Sequence, residues 1–344
     1  MGEITLSRLK AVGAERLSRV SDCPDFEAAE LIYKAFGITK DRLLLERSKI
    51  ADPRKTAEFE GYIEQRTAGT PLQYILGFWE FYSLKFLVGE GVLIPRADTE
   101  ILVEQAVNAL SGKENPKILD LCCGSGCVGI AIAKNLKGAK LFSVDLFDRP
   151  LEFTAKNAKL NGLSDIQIMR GNVLEGAESF KPMGFDGGNL CAATEVCDRQ
   201  KNDGKKTDKN IESIVEKAAE SIAETTAEST AEESCQCKAP DDFGNFDLIV
   251  SNPPYIRSSV IDTLSKEVKN EPIEALDGGE DGLKFYRAIC ENFKDLLNEN
   301  GQMMVEIGFD QKEEVVEIFR SRFKNVRCVT DLSGNDRVVT ATDE

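Results

Sequence analysis

Ile118-Leu119-Asp120-Leu121-Cys122-Cys123-Gly124-Ser125-Gly126 reads as a buried strand running into a small-residue turn, which Cys127 to Leu136 continues as a helix. Gly124 and Gly126 permit positive φ and let a ligand come close to the backbone. The three-glycine dinucleotide fingerprint is absent, because Cys122 and Cys123 stand where glycine would help. Outward from this stretch the chain alternates between helical and extended patterns. A helix over 101–110 precedes it; strands at 140–144 and 166–169 and a helix at 151–160 follow. Beyond residue 245 come strands at 246–251 and 302–307, helices within 283–297 and at 311–319, and two closing strands flanking Gly334. Such alternation predicts an α/β fold with a doubly wound, mostly parallel sheet, and the closing pair predicts an antiparallel edge.

The strongest chemical signal follows the strand Phe246-Asp247-Leu248-Ile249-Val250-Ser251, as Asn252-Pro253-Pro254-Tyr255. In open α/β sheets ligands bind beyond the carboxyl ends of the strands. Two prolines remove two backbone donors and fix φ, so the turn is rigid and can bare a carbonyl toward a ligand. The Asn252 side chain and a bared Pro253 carbonyl make a fork for a planar NH₂ group, with Tyr255 as an aromatic lid. Asp145 closes the strand 140–144 and serves either as a helix cap or, after the Cys122–Gly126 loop, as acceptor for both hydroxyls of a ribose. Asn172, after the third strand, sits where an adenine edge could be read.

The whole chain has 344 residues, a formal charge of −16, ten cysteines and no histidine. Lack of histidine excludes Ser-His and Cys-His nucleophile systems, imidazole proton transfer and every His-containing metal site. The acidity disfavours a free-duplex substrate, since nucleic-acid binders cluster Lys and Arg, and we expect no direct nucleic acid partner. No apolar run approaches the roughly 18 residues of a membrane span and Met1–Lys10 lacks a signal-peptide pattern, so a soluble, cytoplasmic, monomeric protein with reduced thiols is expected.

Residues 1–75 read as a helical domain, with apolar faces at Leu6, Leu9, Val12 and Leu17 and at Phe26, Ala29, Ile32, Tyr33 and Phe36. Pro24-Asp25 and Asp52-Pro53 mark helix starts, and Gly37 and Gly69 mark stops. Residues 76–98 are aromatic-rich, with a turn signal at Gly89-Glu90-Gly91, and read as a β-hairpin linker to a second domain over 99–344. An insertion at about 176–244 interrupts that domain. Between Asp186 and Asp242 it carries 14 acidic and 7 basic residues, 7 − 14 = −7. Glu212, Glu216, Glu220, Glu224, Glu228 and Glu232 would make one acidic helical stripe beside an apolar face at Ile211, Ile214, Val215, Ala218 and Ile222. The insertion is expected to be mobile. Its Cys191, Cys197, Cys235 and Cys237 lack paired CxxC spacing, and no metal is expected.

Taken together, the loop, Asp145 and the Asn-Pro-Pro-Tyr turn resemble the class I methyltransferases that use S-adenosylmethionine, which implies a seven-stranded sheet. Leu93-Ile94-Pro95-Arg96-Ala97-Asp98-Thr99-Glu100, Pro71-Leu72-Gln73-Tyr74-Ile75-Leu76-Gly77, Glu271-Pro272-Ile273-Glu274-Ala275-Leu276-Asp277-Gly278-Gly279 and Asp331-Leu332-Ser333-Gly334-Asn335-Asp336-Arg337 narrow the resemblance to the peptide chain release factor glutamine methyltransferases. It covers nearly the whole chain outside the insertion. It implies that Cys122, Cys123, Gly124, Ser125, Gly126, Asp145, Asn172, Val173 and Asn252 hold S-adenosylmethionine. It also implies that Asn252, Pro253, Pro254 and Tyr255 take the glutamine of a Gly-Gly-Gln loop, with Asn252, Pro253 and Tyr255 acting in catalysis, and that residues 1–75 grip the release factor. Cys122, Cys123, Ala97 and Val173 depart from the usual residues of the pattern. Two alternatives stay open on the residues alone: a ribosomal-protein glutamine or adenine N-methyltransferase, and a cofactor-binding protein with impaired turnover.

Overall fold

A computed structural model describes residues 4–186, 189–192 and 243–344. The expectations for the acidic stripe, its apolar face and Cys197, Cys235 and Cys237 lie outside the described residues, as does the side chain of Cys191. The described chain divides into two compact units, one of residues 1–78 with 264–271 and one of 79–263 with 272–344.

The first unit is built from α1 (Leu6–Leu17), α2 (Pro24–Phe36), α3 (Lys40–Glu46), α4 (Pro53–Ala68) and α5 (Leu72–Leu76). Its helix ends follow from local chemistry. Asp52 Oδ1 accepts from the Arg54 and Lys55 amides at 2.9 and 3.1 Å, with Pro53 at the first helical position where no donor is missed. Gly37 and Gly69 end α2 and α4 in the left-handed region. Leu6, Leu9, Leu17, Leu31, Ile32, Phe59 and Ile63 are buried. Phe26 departs from the expected apolar face: it is half exposed, with the Lys40 ammonium 4.0 Å from its ring centre, while Ala28 and Leu31 carry the buried face instead. One buried charge cluster spans the unit. Arg66 donates to both carboxylate oxygens of Glu27 at 2.8 and 3.0 Å and to Glu267 at 3.0 Å, so the segment 264–271 is tied to the helices by a desolvated cation.

The second unit opens with the hairpin β1 (Phe78–Phe81) and β2 (Leu84–Leu87). The chain reverses at Tyr82 and Ser83, with φ of 49° and 59°, and not at Gly89–Gly91, whose glycines lie beyond β2. A two-residue turn with both φ values positive matches the twist of the flanking strands. Then follow α6 (Glu100–Ala109), β3 (Lys117–Leu121), α7 (Cys127–Lys134), β4 (Lys140–Asp145), α8 (Asp148–Leu160) and β5 (Ile166–Arg170). Next come β6 (Lys181–Asp186), β7 (Asn189–Ala192), β8 (Phe246–Ser251), the single turn α9 (Ser258–Ile261), α10 (Lys284–Phe293), β9 (Leu297–Glu306), α11 (Lys312–Arg320), β10 (Asn325–Thr330) and β11 (Asp336–Thr342).

The sheet order is β10-β11-β9-β8-β3-β4-β5-β6-β7. Strands β9, β8, β3, β4 and β5 are parallel, and β11 runs antiparallel between β9 and β10. The seven expected strands are all present. Beyond them β6 and β7 add an antiparallel extension on β5, so the first residues of the expected insertion belong to the sheet. From β3 the chain winds outward through β4 and β5, then returns to the other side of β3 as β8. The reversal of direction between β3 and β8 is the topological switch point, where α/β sheets open a crevice. All six residues of β8 are buried, and its apolar residues run together at Leu248-Ile249-Val250 rather than alternating, as in a strand covered on both faces.

Gly278 shows how tightly the segment after β8 is framed. A Cβ there would lie 2.7 Å from Tyr255 Cα and 2.8 Å from its carbonyl carbon, so two backbones touch where a side chain has no room. Because backbone cannot step aside as a flexible side chain can, Gly278→Ala is expected to destabilise the fold by roughly 2 kcal/mol or more. Urea unfolding followed by circular dichroism measures this; an unchanged midpoint would show that the 272–279 segment relaxes freely.

Candidate active site

Four carboxyl ends of strands converge on one cavity of about 540 Å³ in the second unit. Cys122, Cys123, Gly124 and Ser125 from the loop after β3, Asp145 after β4, Gly171 to Leu174 after β5, and Asn252 and Pro254 after β8 line its wall. Gly91, Val92, Leu93, Pro95, Pro272 to Ala275, Asp277, Lys284 and Phe285, with a few neighbours, complete the lining. Of the residues expected at the site, Gly126, Pro253 and Tyr255 do not reach the cavity surface. Gly126 instead starts α7 at φ 76°, where a Cβ would meet Ile130 and Thr154 at 2.9 Å.

The loop after β3 is held from several sides. Gly124 N donates to Asp145 Oδ2 at 3.0 Å, and the Thr154 hydroxyl donates to the Gly124 carbonyl at 3.0 Å. Asn157, fully buried on α8, donates to the Ser125 carbonyl at 2.9 Å and to the Leu87 carbonyl at 3.1 Å, and accepts from Leu87 N at 2.6 Å. One carboxamide thereby locks the loop to the β-hairpin, a role that sequence reading missed because its partners lie 32 and 70 positions away. Cys122 takes φ 56°, the conformation that glycine adopts without cost and that burdens any other residue by about 1–2 kcal/mol. Burial pushes the Cys122, Cys123 and Cys127 thiols upward, Cys127 to about 12. They stay protonated and present soft, neutral surface rather than nucleophiles.

Asp145 uses one oxygen for Gly124 N and the other for Phe147 N, at 3.0 and 3.2 Å. Burial raises its pKa, and these backbone bonds oppose the rise. Asn172 folds its side chain into its own turn: Oδ1 accepts from Leu174 N and Nδ2 donates to Glu175, so its polar edge is already engaged. Val173 is buried at the cavity wall. Under the loop, Asp120 is buried and accepts from Gly129 N at 3.0 Å, and burial lifts its pKa to about 8.

At the other end the Asn252 amino group donates to Thr99 Oγ1 at 3.2 Å, and the Tyr255 hydroxyl donates to Glu306 Oε1 at 3.4 Å. The Tyr255 carbonyl accepts from Gln311 Nε2 at 3.0 Å, and Gln311 Oε1 accepts from Gly308 N. The rigid turn is thus gripped at side chain and backbone together. Glu306, with its pKa pushed by burial to about 7, carried no signal in the sequence, because an isolated glutamate at a strand end is unremarkable until its neighbours are known. Among the described residues no group of three or more Cys, Asp or Glu side chains is arranged to hold a metal.

A parallel sheet with a glycine-containing loop after its central strand, an acid ending the neighbouring strand and the Asn-Pro-Pro-Tyr turn across the switch point together define a class I methyltransferase fold. Residues 9–77 match the family model described as the PrmC N-terminal domain, and residues 97–186 match the methyltransferase small domain. The release factor glutamine methyltransferase of Clostridium botulinum is 35% identical over 310 residues, covering 88% of this chain and 87% of that protein. That of Thermodesulfovibrio yellowstonii is 33% identical over 317 residues, covering 91% and 90%. The solved structure of a release-factor-specific protein-(glutamine-N5) methyltransferase from Alicyclobacillus acidocaldarius aligns at 24% identity with a TM-score of 0.36, covering 75% of this chain and 99% of that one. The chain belongs to the release factor glutamine methyltransferase family. No helix among its described residues is long and apolar enough to cross a membrane.

Two of the raised carboxyls, Asp120 and Glu306, have a consequence for stability. Asp120 and Glu306 hold their protons more firmly folded than unfolded, with values of about 8 and about 7 against ordinary values of 3.8 and 4.5. Their contribution to stability is complete below about pH 4 and is lost as the pH rises through 7 and 8. Thermal melts are expected to show a lower midpoint at pH 8.5 than at pH 5.5, with a smaller difference in Asp120→Asn. A midpoint that climbs steadily over that interval would contradict the burial of these groups.

Proposed function

We propose that this chain transfers the methyl group of S-adenosylmethionine to the side-chain amide nitrogen of the glutamine in the Gly-Gly-Gln loop of peptide chain release factors, and so supports translation termination. The observation that carries this reading is Asn252 on the cavity wall, its amino end committed to Thr99, which leaves its carboxamide oxygen for an incoming N–H. Membership of the family, with the glutamine methyltransferase relatives covering most of the chain, supports the reaction and the acceptor.

The cavity suits a nucleoside sulfonium. Asp145, at the carboxyl end of β4 on the cavity wall, is placed to take ribose hydroxyls. Leu146, Phe147 and Val173 offer apolar surface for a base, and the backbone of Cys122 to Ser125 offers close approach. The Ser125 hydroxyl is buried at that wall without a hydrogen-bond partner among the described residues. Asn172, its side chain turned inward, would contribute through its backbone. When bound, S-adenosylmethionine supplies an electrophilic methyl group.

The protein's own part is orientation. An amide nitrogen is a weak nucleophile because its lone pair is delocalised into the carbonyl. An acceptor at Asn252 Oδ1 would hold one of its N–H groups and favour positive charge growing on nitrogen, which is electrostatic preorganisation, while Pro253, set back from the cavity surface, keeps the turn rigid. Pro254 presents a rigid apolar contact at the wall, and Tyr255 braces the turn through Glu306 and Gln311. Chemistry of this kind needs no histidine. The helical unit, with Leu44, Leu45 and Ile50 exposed, offers apolar contact to the release factor.

Labelled-methyl transfer to purified release factor, beside a variant with alanine for the loop glutamine, tests the reading: label on the first and none on the second is expected. Asn252→Ala should lower kcat by about 100-fold or more while calorimetric affinity for the cofactor holds. Loss of folding or of cofactor binding in that variant would make Asn252 structural. Asp145→Ala should instead weaken cofactor affinity, by roughly tenfold or more for a lost pair of charge-assisted bonds.

A further inference from the structure

The hairpin β1–β2 forms a two-stranded sheet of its own, so no strand ladder ties it to the nine-stranded sheet. Yet the chain that leaves β2 supplies Gly91, Val92, Leu93 and Pro95 to the cavity lining, and the loop after β3 supplies Cys122 to Ser125. Helix α8 holds both stretches. Residues 149, 153, 157 and 161 recur every fourth position, as neighbours on one helix face do. Arg149 donates to the Glu90 carbonyl at 3.3 Å, and the Phe153 ring lies against Gly89, where a Cβ would come within 3.1 Å of it. Asn161, at the end of the helix, donates to the Lys85 carbonyl at 3.0 Å. Asn157 completes this row along the hairpin, and it also reaches the loop after β3.

The buried Asn157 carboxamide accepts from Leu87 N at 2.6 Å and donates to the Leu87 carbonyl at 3.1 Å, as a peptide unit of a neighbouring strand would. Its second amino hydrogen goes to the Ser125 carbonyl at 2.9 Å. Two donors and an acceptor in one plane on so short a stem are what asparagine alone supplies. A carboxylate would set lone pairs against both carbonyls, and an alanine would leave one buried N–H and two buried carbonyls without this partner. One turn earlier on α8 the buried Thr154 hydroxyl donates to the Gly124 carbonyl at 3.0 Å. A trans peptide keeps its C=O and N–H on opposite sides. Drawing the Gly124 carbonyl toward α8 therefore turns the Ser125 N–H away from the helix. Helix α8 thus takes the carbonyls of this loop and leaves the donors of Ser125, its N–H and its buried, unpartnered hydroxyl, for the occupant of the cavity.

We propose that Asn157, assisted by Thr154, is a positioning residue for the cofactor: it fixes the loop Cys122–Gly126 relative to the stretch that leaves β2 and so sets the gap a nucleoside sulfonium must fit. This rests on the reading of the cavity as the S-adenosylmethionine site. Neither Asn157 nor Thr154 lines the cavity, so both act through the backbone they hold and not by touching the ligand. The form of the effect follows from that. Without the hold, the free protein populates arrangements in which loop and stretch no longer match the ligand, and affinity falls by the fraction lost. Once bound, the cofactor itself selects the matched arrangement, so turnover at saturation changes little. Asn161 supplies the contrast, because it sits in the same row yet bonds to Lys85 and its own helix instead of the loop.

The test compares wild-type, Asn157→Ala, Thr154→Val, Thr154→Ser and Asn161→Ala proteins. Calorimetry gives the Kd for S-adenosylmethionine, and kinetics with release factor give kcat and the cofactor KM. In the cofactor-free proteins the thermal midpoint and the hydrogen exchange of the Leu87 amide are measured. Asn157→Ala is expected to raise the cofactor Kd and KM about tenfold or more, to hold kcat at saturation within about threefold, and to speed Leu87 exchange. Thr154→Val should raise the Kd about threefold or more, and Thr154→Ser should keep the wild-type value. Asn161→Ala should lower the midpoint and leave the Kd unchanged. A folded Asn157→Ala protein with wild-type affinity, or an affinity loss that merely tracks the midpoint across all the variants, would overturn the proposal and leave the cofactor reading intact. If Asn157→Ala does not fold, the Thr154 pair decides, and equal affinity in Thr154→Val and Thr154→Ser overturns the proposal. A wild-type protein that binds no S-adenosylmethionine would overturn the cofactor reading and the positioning role together.

Discussion

The Ser251 hydroxyl donates to the Leu121 carbonyl at 2.7 Å, at the point where β8 lies parallel to β3 with Leu121 opposite Ser251. This contact joins the last residues of two strands that are 130 positions apart, immediately before each gives way to its turn. Everything in the cavity follows from that adjacency. The loop Cys122–Gly126 and the turn Asn252–Tyr255 leave neighbouring strands side by side, and no other pairing in the sheet would set this loop against the Asn-Pro-Pro-Tyr turn. Because hydrogen bonds and side-chain alternation both quantise strand register, a slip of one residue would turn Asp120 and Ser251 to the opposite faces. β8, buried along its whole length, resists such a slip.

The site works with groups that are neutral or nearly so. Burial holds three thiols protonated and lifts Asp120 and Glu306 toward neutrality. Desolvation here exceeds the local hydrogen bonding to each carboxyl, which is the reverse of Asp247, where Lys113, the Lys117 amide and Asn298 win and the pKa falls. A chain without histidine thus obtains a group that titrates near neutrality by placing a glutamate in a dry pocket beside a shared arginine. That arrangement suits a transfer in which geometry and field direction, rather than proton abstraction, limit the rate.

Much of the fold was legible because its causes are local. Strands β3, β4, β5, β8 and β9 are short apolar runs bounded by Gly, Asn or Asp, and the helix ends at Gly37, Asp52 and Gly69 are set by residues within one turn. The tight turn inside the hairpin carries no such signal: Tyr82 and Ser83 adopt positive φ without being the Gly or Asn that usually marks it, while Gly89-Glu90-Gly91 forms a further turn beyond β2. Phe26 was read as core from its spacing, yet it lies at the edge of the apolar arc, where Lys40 covers it. The strands β6 and β7 were hidden inside a stretch whose composition reads as non-core.

By itself the sequence determined the order of elements, the small-residue loop after β3, Asp145 and the Asn-Pro-Pro-Tyr turn, since each is a chemical pattern within a few consecutive residues. It also announced the absence of imidazole chemistry. Which of those residues reach the cavity was decided by the packed structure: Asn252 and Pro254 do, while Tyr255 turns inward to Glu306 and Asn172 bonds to its own turn. The structure alone set Thr99 behind Asn252 and made Asn157 the lock on the loop. These are contacts across 32 to 153 positions, and their energy comes from removing polar groups from water together. No local pattern records which partner each buried group will find.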